Sequence, residues 1–74
     1  WWTCVHGHGH PAIVAAIREQ VERLDHVMFA GFTHEPAVAL AEALIAAAPP
    51  GYGRVFYADC GSAAVEVALK LSYQ

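Results

Sequence analysis

The 74 residues are 57% apolar and only 15% charged, more apolar surface than a body of this size can hide, since a chain so short buries only about 60% of what its unfolded form exposes. A net charge of −3, with four basic residues that never cluster, excludes the basic footprint of a nucleic-acid binder and the polybasic patch of an anionic-membrane binder. No apolar run reaches the roughly 18 to 20 residues of a membrane span, because Glu42 divides the longest candidate. Cys4 and Cys60 stand far apart and outside any CxxC pairing, the usage of free thiols in a reducing compartment, so the cytoplasm is the expected location.

The chain opens on Trp1-Trp2, residues that serve as core or interface anchors or, with paired rings and N–H donors, as the wall of an apolar ligand site. "HGHGH", residues 6–10, follows. In an extended chain the period-two alternation would put His6, His8 and His10 on one side with Cys4, a zinc-like set; the alternative is a glycine-rich loop running into a helix. Residues 11–26 carry Ile13, Ile17, Val21 and Leu24 at helical spacing, with Arg18, Glu19, Glu22 and Arg23 on other faces and Pro11 at the first helical position. Gly31 interrupts the apolar stretch that follows, and an irregular connection is expected there.

Residues 36–48 repeat the design, with Ala37, Leu40, Ala41, Leu44, Ile45 and Ala48 in one stripe and Pro49-Pro50-Gly51 as the stop. "RVFYA", residues 54–58, has the length and composition of a short buried strand. A last helix is expected from about Ser62, apolar nearly all round except for Glu66 and Lys70, which sit four apart in the favourable order for an ion pair. Strand then helix is half of a βαβ unit, so the fold class is α/β: three helices and one short buried strand. The absence of an initiator methionine, and an apolar pattern still running at Gln74, lead to the expectation of a partial domain over residues 1–74, truncated at both ends and covered by protein the chain does not contain.

Asp59-Cys60-Gly61-Ser62 lies at the strand-to-helix junction. Gly61 allows close backbone approach, Ser62 adds a hydroxyl and an N–H, and a helix start favours negative charge, so the corner suits a phosphate. The plainer reading makes Ser62 an ordinary N-cap and Gly61 a simple turn. Cys60, with no base in its neighbourhood of the sequence, is expected to be an inert buried thiol.

In their order and spacing, "WW…HGHGHP", "HVMFAGFTHEPA" and "VFYADCGSAAVEVALKLSYQ" resemble the class III pyridoxal-phosphate aminotransferases, most closely their biotin-synthesis branch. The resemblance runs the length of the chain. It implies a fragment of the large cofactor-binding domain of a fold-type-I aminotransferase, with pyridoxal 5'-phosphate as cofactor, its phosphate held at Gly61 and Ser62, and a substrate wall at Trp1 with Trp2 beside it. It also implies amino transfer from S-adenosylmethionine to 8-amino-7-oxononanoate in a full-length homodimer. Cys60 stands where the family often has serine or threonine, and His8 falls at a variable place. The match of residues 6–11 to a loop that serves no metal in the family argues against the zinc set.

No catalytic residue is assigned within the chain. Lys70, its one lysine, would lie about 12 Å along the helix from Ser62, so the lysine that carries the cofactor is expected beyond Gln74. The competing readings are another class III ω-aminotransferase, acting on a diamine or ω-amino acid, and a non-enzymatic His/Cys metal-binding or helical interaction module.

Overall fold

The computed structural model describes residues 2–74 and divides the chain into two compact units, Trp1–His34 and Glu35–Gln74. Three helices form among the described residues: α1 (Pro11–Arg23), α2 (Glu35–Ala47) and α3 (Gly61–Ser72). Among the described residues none is long and apolar enough to cross a membrane.

In the first unit the N–H of Gly7 donates to the carbonyl of Cys4 at 3.1 Å, closing a turn ahead of α1. Pro11 opens the helix where its missing N–H costs nothing, and the first ladder bond runs from Val14 N–H to the His10 carbonyl at 3.0 Å. The helix ends at Arg23, three residues before the spacing suggested. Leu24 turns extended (φ −165°, ψ 112°), its carbonyl takes a hydrogen bond from Gln20 Nε2 at 2.9 Å, and the Asp25 carboxylate accepts the His26 N–H at 2.8 Å. Such local side-chain bonding offers the backbone an alternative to helix. The apolar stripe forms over Ile13, Ile17 and Val21, whereas Leu24 falls beyond the last helical residue; all four side chains are exposed. The connection after α1 is irregular, with Gly31 at φ +84° and the Phe29 and His34 rings stacked at 5.3 Å and 14°.

In the second unit α2 starts with Glu35, whose charge suits the positive end of the helix. It closes with the Ala48 N–H shared between the Leu44 and Ile45 carbonyls at 3.0 and 3.3 Å, just before the two prolines. Ala37, 9% exposed, is the one buried apolar residue among those described. Ala41 and Ile45 continue its face at four-residue steps and are half-buried, as are Val55, Tyr57, Ala63 and Val67.

The short buried strand is not present. Residues 54–58 form no ladder, and no strand occurs among the described residues, so the α/β character read from the sequence is not seen here. A strand exists only through a neighbour that pairs with it, and among the described residues no segment pairs with residues 54–58. The segment keeps a strand's alternation, with Val55 and Tyr57 half-buried and Phe56 74% exposed between them. Its position is held by the Tyr57 hydroxyl, which donates to the Ala37 carbonyl at 2.6 Å.

Helix α3 starts at Gly61, one residue before the expected boundary, and ends with the Tyr73 N–H on the Lys70 carbonyl at 3.2 Å. Glu66 and Lys70 are exposed, and no ion pair is made between them.

With a single buried apolar side chain among the described residues, this polypeptide made alone should lack cooperative tertiary structure, because ordering each residue costs about 1.5 kcal/mol that burial must offset. Circular dichroism should show a shallow thermal slope with strong binding of a hydrophobic dye. A sharp unfolding transition of a monomer would contradict this.

Candidate functional site

The start of α3 combines three features. Its first ladder bond runs from Ala64 N–H to the Cys60 carbonyl at 3.0 Å, so the amides of Gly61, Ser62 and Ala63 have no acceptor within the helix. Cys60, the N-cap residue, is extended (φ −155°, ψ 169°) and supplies no side-chain cap. A Cβ built on Gly61 would meet nothing within 4 Å, so the space beside this residue is open. The backbone at Gly61 is not in the left-handed region. Glycine there is not demanded by chain geometry, and what it provides is the absence of a side chain.

Ser62 is the second residue of the helix and not its N-cap, which removes the plainer reading of this serine. Its hydroxyl is on an exposed residue beside the open amides. Cys60 is exposed, a correction to the buried thiol expected from its apolar surroundings in the sequence: the flanking apolar residues belong to an extended segment and to a helix start, neither of which covers it.

The histidine loop does not form the alternating set. The turn between Cys4 and Gly7, with Gly7 and Gly9 at φ +75° and +67°, breaks the extended geometry that alternation needs. His6 and His10 come together with ring centroids 5.9 Å apart and tilted by 57°, but among the described residues no three His, Cys, Asp or Glu side chains converge as a metal site.

Trp1 lies outside the described residues. Trp2 is 91% exposed at φ +59°. Lys70 is exposed, two turns further along α3 than Ser62. Two features had no place in the sequence reading. Tyr57 ties the approach to α3 onto α2, and a phenol inside an apolar run was the available sign that a hydroxyl needed a partner. The Nδ1 atom of His34 is buried without a hydrogen-bond partner, which no sequence pattern announced.

The family described as Aminotransferase class-III matches residues 1–74. The chain belongs to this family. It is 54% identical over its whole length to the adenosylmethionine-8-amino-7-oxononanoate aminotransferase of Synechococcus elongatus. Proteins of the same name from Mycobacterium leprae and Corynebacterium glutamicum are 49% and 47% identical, also over all 74 residues. The chain spans 17 to 18% of the length of these relatives. No solved structure matches.

Class III aminotransferases in general are pyridoxal-phosphate enzymes. The residues at the start of α3 fit the phosphate of such a cofactor: unsatisfied amides, no competing side-chain cap, a hydroxyl at the second position and no Cβ in the way at Gly61.

Proposed function

We propose that this chain is a partial cofactor-binding domain of a transaminase of biotin synthesis, which moves an amino group from S-adenosylmethionine to 8-amino-7-oxononanoate. The observation that carries this reading is the 47 to 54% identity, across all 74 residues, to aminotransferases of that name. Gly61 and Ser62 hold the phosphate of pyridoxal 5'-phosphate, with the amide of Ala63 completing the cup. Bound there, the cofactor would supply an aldehyde carbon able to carry the amino group between the two half-reactions and a ring that withdraws electrons from it. Trp1, with Trp2 beside it, walls the substrate site and excludes water from an apolar acceptor. The full-length enzyme is a cytoplasmic homodimer in this reading.

Nothing in the chain is given a proton-transfer role. Lys70 is about 12 Å along the helix from Ser62, and its amine stays with the solvent. The lysine that carries the cofactor belongs to another part of the full-length protein.

Two experiments on that protein test the reading. Ser62→Ala should weaken retention of pyridoxal phosphate by about tenfold or more, the scale of one charge-assisted hydrogen bond of about 1.5 to 3 kcal/mol, and Gly61→Val should weaken it more by closing the approach. Unchanged affinity in both variants would remove the phosphate assignment. In steady-state kinetics, S-adenosylmethionine should serve as donor where diamines and ω-amino acids do not, and Trp1→Ala should raise KM for the acceptor while leaving cofactor absorbance intact. Preference for a diamine would assign a different class III ω-aminotransferase, and loss of cofactor with unchanged acceptor KM would move Trp1 out of the substrate wall.

A further inference from the structure

A cup made of backbone amides has no rotamers with which to adjust. Where its N–H groups point is settled by where the chain enters the helix, so whatever fixes that entry also fixes the cup. Residues 48–60, between α2 and α3, contain no regular structure, and the extended part at 54–58 has no ladder to hold it. The hydrogen bond from the Tyr57 hydroxyl to the Ala37 carbonyl, 2.6 Å long and partly buried, fastens this connection across twenty residues of sequence to the first turn of α2. Its anchor point is the buried Ala37. From Tyr57 to Gly61 is four residues, a reach of at most about 13 to 14 Å even when fully extended.

We propose that Tyr57 is a positioning residue for the phosphate cup, holding the entry to α3 so that the amides of Gly61 and Ser62 converge on one anion. The inference rests on the phosphate reading of that corner. Phenylalanine would fill the same apolar space at residue 57. Ala37 also lies inside α2, where its carbonyl belongs to the helix ladder, so removing the hydroxyl leaves no orphaned acceptor. The loss therefore falls on the placement of the connection rather than on burial.

The test uses the full-length protein and two ligands, pyridoxal phosphate and pyridoxal, which differ by the phosphate alone. Tyr57→Phe should lower the affinity ratio of the first to the second about fivefold, the scale of one neutral hydrogen bond, with pyridoxal affinity unchanged. At saturating pyridoxal phosphate the 31P resonance of the bound ligand should shift between wild type and variant. Ser62→Ala is measured alongside. If Ser62→Ala lowers the ratio and Tyr57→Phe does not, the positioning role is overturned and the corner stands; if neither lowers it, the phosphate reading itself fails. Equal weakening of both ligands by Tyr57→Phe, or failure of that variant to fold, assigns Tyr57 a general structural role and also overturns the proposal.

Discussion

An α-helix cannot satisfy its own first amides, and in α3 nothing else among the described residues does so: the ladder begins at Ala64, Cys60 offers no cap, and the space beside Gly61 is open. Most helix starts settle this constraint with a serine, threonine, asparagine or aspartate one position before the first turn. Here that position holds a cysteine and the serine comes two residues later, where its hydroxyl adds to the open donors instead of closing them. The partial positive charge of the helix end adds to the same field. An anion brought to this corner meets donors already aligned, without displacing a protein acceptor.

A second constraint governs the rest of the chain. Its helices are amphipathic or largely apolar, yet the side chains that should be covered stand in the open: Ile13, Ile17 and Val21 on α1, Leu40 and Leu44 on α2, Val65 and Leu69 on α3. Within the second unit the residues that lose exposure include Ala37, Ala41 and Ala63, whose small side chains bury little area. Hydrophobic stabilisation scales with area removed from water, about 25 cal/mol per Å². These faces have the composition of protein-covered surfaces, and the chain spans less than a fifth of the length of the relatives it matches.

The helices were legible because periodicity needs only local sequence. Pro11, Pro36 and the Pro49-Pro50 pair marked boundaries correctly to within a residue or two, whereas the end of α1 was misplaced because Asp25 and Gln20 bond to nearby backbone in ways that spacing does not register. The strand was not legible in the same sense. "RVFYA" carries the preference, but a ladder is a property of two segments, and one segment shows only the alternation of Val55, Phe56 and Tyr57. At the site, small residues at a helix start pointed to Gly61 and Ser62, while the position of Ser62 within the helix had to come from the backbone. The histidine alternation, one of two readings of residues 6–10, requires an extended chain through Gly7 and Gly9, and both are left-handed. The Tyr57 tether spans twenty residues, beyond any local pattern.

The central claim is that the amides at the start of α3 meet a phosphate. The most direct measurement is the 1H–15N spectrum of the full-length protein labelled through residues 54–74, titrated with pyridoxal phosphate and separately with pyridoxal. The account predicts that the amide protons of Gly61, Ser62 and Ala63 move downfield with the phosphorylated ligand, as donors to an anion do, and that pyridoxal leaves them in place. Identical responses to the two ligands, or amides indifferent to both while the cofactor binds, would contradict it.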